Sequence, residues 1–187
     1  MVAEGVRNTV GFDWHPGTKD LWFTDNGRDW LGDDKPPCEI NHLTKVKSHF
    51  GFPFCHGKDI LDPEFGKGKK CSDYVPPVVN LRAHVAPLGM RFYKGNSFPK
   101  NFVNGIFFAE HGSWNRAIPQ GYRVAFLQEN STEPVSFIDG FLQGNDAWGR
   151  PVDVEELPDG SILVSDDKAD VIYKVTFQAA SKATKKK

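Results

Sequence analysis

Three stretches of the chain repeat one layout, and this repetition limits the available folds more than any single motif does. In the first, the apolar run at residues 10–14 meets the turn His15-Pro16-Gly17 and continues into residues 21–25. In the second, residues 88–92 precede residues 105–110; in the third, residues 152–155 lead through Pro158-Asp159-Gly160 into residues 162–166. A further apolar run follows each pair, at 40–43, 122–127 and 171–177. Runs this short between turn residues are strands. No segment sustains a helical period, and 13 prolines and 18 glycines serve as punctuation. Imperfect copies of a four-stranded unit are the sequence form of a propeller. The expectation is an all-β chain with about three four-stranded blades over residues 1–177, a loop insert at 50–79 and a disordered basic tail at 178–187.

Three blades raise a difficulty of closure. Propellers typically have about four to eight blades, so three leave an arc with uncovered strand edges and an apolar face at each end. Two solutions follow: a complementing half from another chain segment, or a homodimer whose two-fold axis closes a ring of three plus three. A four-bladed closure using residues 50–79 is disfavoured, because that stretch lacks strand alternation.

Charge and composition exclude several classes. A formal net charge of −1 over 187 residues provides no basic field to gather nucleic acid. No apolar run reaches the length of a membrane span, and the first residues have no secretory hydrophobic region. Cys55 and Cys71 bracket 15 residues. A bridge there would contribute about 3 kcal/mol in the chain-entropy picture and imply an oxidising compartment, periplasmic or secreted. Two free thiols are the alternative, and Cys38 is the odd one. Neither a haem-attachment motif nor zinc-ligand spacing is present. The loop carrying Asp25, Asp29, Asp33, Asp34 and Glu39 has the oxygen-rich composition that calcium prefers. A solvated acidic loop that binds nothing is the competing reading.

The blocks GVRNTVGFDWHP, LWFTDNGRDWLGDD and CEIN, followed by GFPFCHG, APLGMRFY, AEHGSWNR, WGRPVDV and LPDGSILVSDD, run in order from Gly5 to about Val175. Together they resemble the soluble quinoprotein sugar dehydrogenases, the glucose/sorbosone and aldose sugar dehydrogenase family, which use pyrroloquinoline quinone (PQQ). The resemblance implies a six-bladed propeller of which this chain is the C-terminal half, and a sugar or aldehyde as hydride donor. It places Arg7 and Asn8 at the cofactor face, where a tricarboxylate quinone needs planar cationic forks and amide donors. Trp148-Gly149-Arg150 matches a quinone-contacting arginine. At residues 110–116 the family commonly has a lysine; here His111 or Arg116 must substitute. The backbone carbonyls of Gly27 and Arg28 match a calcium site that would act as a Lewis acid on the quinone. Glu39 aligns with a carboxylate linked to a second, structural calcium, a role Asp33 or Asp34 could equally fill. The glucose-specific branch has another arginine where this chain has Val152, which points to the sorbosone or aldose branch.

The family's general-base histidine lies upstream of the position matched by Gly5. His15 and His42 fall at turn and closing-strand positions, leaving His56, His84 and His111, so the base is unassigned. Three functions remain open: a quinoprotein oxidoreductase or its C-terminal half, a non-catalytic half-propeller that assembles or binds sugar, and a calcium-dependent lactonase. Arginines at the ring-facing positions suit an anionic cofactor better than a metal-bound water, which weighs against the last.

Overall fold

A computed structural model describes residues 1–178; of the tail expected at 178–187, residues 179–187, with Lys185 to Lys187, lie outside the described residues. The chain is all-β, organised as three antiparallel sheets that follow the three sequence units. The first sheet pairs, in order, Phe12–Trp14, Leu21–Asp25, Glu39–Leu43 and Val79–Asn80. The second pairs Pro87–Phe92, Ile106–Glu110, Arg123–Leu127 and Val135–Ile138. The third has Pro151–Glu156, Ile162–Asp166 and Val171–Val175, three strands among the described residues where four were expected. The fourth strand of the first sheet is only two residues long and is reached after the insert.

Period-two alternation explains how the sheets stack. In the second sheet, Ile106, Phe108, Ala125 and Leu127 face the first sheet and join Ile40, Val79, Met90 and Phe92 in one core. Phe107, Val124 and Phe126 point the other way and join Val154, Ile162 and Val164 of the third sheet. A sheet buried on both faces reads as a continuous apolar run, which is why IFFA and VAFL show no polar alternation. Each such side chain contributes about 1.5–3 kcal/mol on full burial.

Close approach between sheets depends on two glycines at equivalent positions. A Cβ at Gly11 would run into the Leu88 carbonyl, and one at Gly89 would run into the Asp153 carboxylate. Polar groups complete the first junction: the Thr24 hydroxyl donates to the Leu88 carbonyl at 2.8 Å, and buried Asp13 accepts the Phe92 N–H at 2.9 Å.

The other face of the first sheet is covered by the chain's own insert. Phe23, Leu43 and Phe50 pack with Ala3, Val6 and Val75. A disulfide between Cys55 and Cys71 closes the insert, and Cys38 is free and buried. The insert forms only a two-residue ribbon, Cys55–His56 with Ile60–Leu61, plus the parallel pair Ala3–Glu4 with Ser48–His49. It is a cover, not a further sheet. Beyond it, Val10, Phe12 and Trp14 at one end and Val171 and Ile172 at the other remain exposed.

Candidate functional site

An acidic residue ends the second strand of every sheet and fixes what lies beside it. Asp25 accepts the N–H groups of Arg7 and Asn8 at 2.9 and 2.6 Å. In the third sheet, Asp166 accepts the N–H groups of Arg150, Lys168 and Ala169 at 2.8, 3.0 and 2.9 Å. Glu110 in the second receives a two-pronged contact from Arg123 at 2.7 and 3.0 Å. The device anchors the backbone just ahead of the first strand, so Arg7, Asn8 and Arg150 come to the same end of the sheets.

At that end, between the first and second sheets, lies a cavity of about 230 Å³ lined by Arg7, Asn8, Asn26, Gly27, Asp29, Cys38, His84, Ala86, Leu88 and Trp114. The Arg7 guanidinium reaches Asp29 at 3.1 Å and the Asn26 carbonyl at 3.2 Å. Asn26 donates to the carbonyls of Asn8 and Pro87, tying the two sheets together. The Asn8 amide is exposed and has no hydrogen-bond partner among the described residues. His84 Nε2 donates to the Gly32 carbonyl at 2.8 Å, and its Nδ1 stands 3.9 Å from Asp29. His84 and Ala86 both have left-handed backbones, φ 63° and 52°, a conformation that costs a side-chain-bearing residue about 1–2 kcal/mol. Such conformations persist where the surroundings enforce them, often at sites.

A second, much smaller cavity of about 10 Å³ adjoins the first and has room for one water or ion. Arg7, Asn26 and Gly27 line both. Asp25, Glu39 and His56 complete its polar lining. Glu39 is buried and accepts from Asn41 at 3.0 Å and from the Gly57 N–H at 2.7 Å. Burial pushes its carboxyl up to about 7, against those two hydrogen bonds, and the neighbouring Asp25 adds to the rise. Asp25 is itself raised by burial in spite of the Arg7 and Asn8 amides. Beside Glu39, the fully buried Asn41 leaves its Oδ1 without a partner. Two buried carboxylates, Asp25 and Glu39, line this void and are the kind of donor a hard cation takes, with Arg7 on the same lining; the orphaned Asn41 oxygen is not part of that lining. Among the described residues no group of three or more His, Cys, Asp or Glu side chains converges as a complete ligand set, so any cation here would also draw on backbone oxygens.

The remaining expected residues lie elsewhere. The Arg28 side chain turns outward, 2.5 Å from Asp62 and 3.1 Å from Glu64. Burial opposes ionisation of Asp62, but hydrogen bonds from His56, Arg28 and two amides hold it well below the usual carboxylate range. His111 pairs with Asp167 at 2.9 Å, and the Arg150 guanidinium donates to the carbonyls of His111 and Gly112 at 3.0 and 2.9 Å. These two residues therefore form the junction between the second and third sheets, outside the cavity. Arg116 bonds the Asp33 carbonyl and the Asp34 carboxylate, stapling two loops. Of the histidines, only His84 lines the larger cavity. His15 lies at the opposite end of the sheets, 3.8 Å from Glu129, and His42 stacks on Trp22.

Asn26 and Trp114 were not expected at the site, and Asp29 was expected only as one carboxylate of an acidic, calcium-type loop. Asn26 could have been read from the sequence, since it follows Asp25 in TDNG and must satisfy the backbone there. Trp114 depends on the meeting of two loops, which sequence order does not reveal.

Stacked antiparallel sheets with an arginine- and amide-lined cavity at one strand end define an all-β chain of sheets packed face to face. It belongs to the TrAA12-like family, whose model matches residues 1–178. A Borreliella burgdorferi relative, described as an uncharacterized protein, is 47% identical over 185 residues, covering 95% of this chain and 49% of the relative. The pyrroloquinoline quinone-dependent pyranose dehydrogenase of Coprinopsis cinerea is 46% identical over 76 residues, 40% of this chain and 10% of that protein. The calcium structure of the Trichoderma reesei Carbohydrate-Active Enzymes Family AA12 protein superimposes with a TM-score of 0.71 at 19% identity, covering 91% of this chain and 52% of that one. The holo PQQ domain of the Coprinopsis cinerea pyranose dehydrogenase gives 0.69 at 20% identity, with 94% and 55% coverage. These structural likenesses are likenesses of fold. The chain spans about half the length of the Borreliella relative and of these solved structures.

Proposed function

We propose that this chain is half of a PQQ-dependent sugar dehydrogenase, with three of the ring's six blades, and that the cavity at Arg7 and Asn8 is its contribution to the cofactor site. The observation that carries this reading is the cavity's donor set: an arginine fork, an unpartnered exposed amide and an indole wall, which suit a flat anionic quinone. Bound there, PQQ would supply the acceptor for a hydride from the sugar. Arg7 would bind carboxylate through charge-assisted hydrogen bonds, with Asp29 holding the fork in place. Asn8 would donate its free amide, and Trp114 would shield one side from water. His84 is engaged at Nε2 by the Gly32 carbonyl, so its role is to fix the loop at 30–32 against the second sheet. The general base stays unassigned.

Calcium is assigned to the smaller cavity, held by Glu39 with Asp25 and with backbone oxygen from the 26–28 segment. The donor chemistry fits in the two carboxylates, Glu39 and Asp25, which line this cavity and are both raised by burial. The sheet faces left open at Phe12 and Trp14 and at Val171 and Ile172 suit completion of the ring by a complementing half or by a second copy. The Cys55–Cys71 bridge suits a periplasmic or secreted setting. A sugar or aldehyde of the aldose or sorbosone type is the expected substrate, Val152 standing where a glucose-specific arginine would be.

The test is equilibrium binding. PQQ added with calcium should co-elute with the protein by its quinone absorbance and be lost in chelator. PQQ that elutes free at ten times the protein concentration, with calcium present, refutes the cofactor assignment.

A further inference from the structure

We infer that Trp30 and Trp114 form a stacking platform for a sugar ring beside the cofactor cavity, so that the site takes a glycoside or oligosaccharide longer than one ring. The inference rests on the sugar-oxidising reading above. Trp30 lies in the loop after the second strand of the first sheet and Trp114 in the matching loop of the second sheet. Their ring centroids are 5.6 Å apart at 81°, an edge-to-face pair. They are nevertheless 76% and 66% exposed. Tryptophan is on average well buried, and two left in water side by side mark a binding surface.

The pair is held in place. From the Trp114 loop, Arg116 reaches across to the Asp33 carbonyl and to the Asp34 carboxylate at 2.8 Å, and the Ala117 N–H donates to the Asp33 carboxylate at 3.1 Å. Trp30 has φ 67°, an outlier for a bulky residue and a strained geometry of the kind found at ligand clamps. An edge-to-face pair leaves indole faces open to a ligand.

Why a sugar occupies it follows from the loop that carries Trp30. One face of a pyranose ring is rich in C–H groups and packs on an aromatic ring, while its equatorial hydroxyls project sideways and need acceptors. The same loop carries Asp29 and Asp34, each pairing one carboxylate oxygen with an arginine, Arg7 at 3.1 Å and Arg116 at 2.8 Å, and the Asp34 side chain is 85% exposed. Trp114 also lines the cavity with Arg7 and Asn8, so a ring on the platform would be continuous with a ring at the proposed reaction centre. Asp33, Asp34 and Asn115 keep the surround polar, which is unlike the broad apolar patch that a protein partner would require.

The test compares cellobiose with glucose by saturation-transfer NMR and isothermal titration, using the full chain with calcium. Cellobiose should bind at least roughly tenfold more tightly than glucose. Trp30→Ala and Trp114→Ala should each weaken cellobiose binding about three- to tenfold, in line with the contribution of one aromatic contact. Trp30→Phe should recover most of that loss. Trp30→Ala should leave PQQ binding within twofold, since Trp30 does not line the cavity. Cellobiose binding that persists when PQQ fails to bind upholds the platform and sinks the cofactor reading. The platform is overturned by equal affinity for the two sugars, by no saturable cellobiose binding, or by a Trp30→Ala chain that binds cellobiose normally. A change only in self-association, seen by sedimentation, also overturns it, since the indoles would then serve a second copy of the chain.

Discussion

Replacing Glu39 by glutamine should remove most of a pH dependence of stability that the wild-type chain shows in chelator. In the folded state burial lifts the Glu39 carboxyl from 4.5 to about 7. A raised carboxylate means that the folded chain holds the proton more tightly than the unfolded chain. Its stabilising effect is full below about pH 4.5 and is lost as pH rises through about 7. A rise of about 2.5 units corresponds to roughly 3 kcal/mol, large against a typical domain stability of about 5–15 kcal/mol. Asp25, also raised, adds in the same direction. Asp62 is lowered and acts the other way, its stabilisation being lost only in acid below the ordinary carboxylate range; the window from pH 5 to 8 leaves Asp62 out, and the difference between the wild type and Glu39→Gln isolates Glu39.

Urea unfolding at half-unit steps across that window, in chelator, should therefore show stability falling toward pH 8. Calcium should reverse the fall at the alkaline end, because a cation binds the ionised carboxylate and only the folded chain presents the site. At one hundred times the dissociation constant this gain is about 2.7 kcal/mol. Glutamine keeps a carbonyl for the Gly57 N–H but cannot ionise, so the variant should lose most of the slope and most of the calcium effect. A Glu39→Gln profile parallel to the wild type, with an equal calcium response, would refute the reasoning.

Arg7→Ala should weaken PQQ binding roughly ten- to a hundredfold, the worth of a charge-assisted hydrogen bond, and an unchanged titration curve would remove Arg7 from the site. Gly89→Ala should destabilise by about 1–3 kcal/mol, as overpacking does, because its Cβ meets Asp153; an unaltered urea midpoint would show that the second and third sheets can slide apart. Reducing the Cys55–Cys71 bridge should cost about 3 kcal/mol, while Cys38, buried with its thiol pushed up to about 11 by burial, should resist a thiol reagent in the native chain at pH 8. At micromolar concentration the chain alone should self-associate through its two exposed sheet ends; light scattering that gives a monomer would rule out closure by a second copy.

The sheets were legible in the sequence because their signals are local. Phe107 and Phe108 announce a strand buried on both faces, and Pro158-Asp159-Gly160 announces a turn, whatever lies around them. A bridge between Cys55 and Cys71 was one of two readings the spacing left open, and the fold forms it. What escaped was set by packing between segments distant in sequence. Residues 50–79 carry no strand period, so nothing local revealed that Phe50 and Val75 would cover Phe23 and Leu43. The side chains of Arg116, Arg150 and His111 were expected at the cofactor; that they also pair with Asp34, two carbonyls and Asp167 is what sequence order did not reveal. A charged residue in a loop advertises its chemistry but not its direction, and direction is decided by whichever opposite charge the fold brings near.

The two cavities also constrain each other. Gly27 lines both, and a Cβ on it would meet the Pro37 carbonyl at 2.5 Å, so the 26–28 backbone is held tightly against the segment that leads into Glu39. Asn26, its neighbour, bonds the Asn8 and Pro87 carbonyls, and the Asn26 carbonyl receives the Arg7 guanidinium. A cation drawing on Glu39 and on the 26–28 backbone would therefore fix the same short segment that aims Arg7 and Asn8. Whatever free energy the cation spends ordering that segment need not be spent again by an anion bound at Arg7. Linkage then makes the effect mutual: calcium must tighten PQQ binding by the same factor by which PQQ tightens calcium binding.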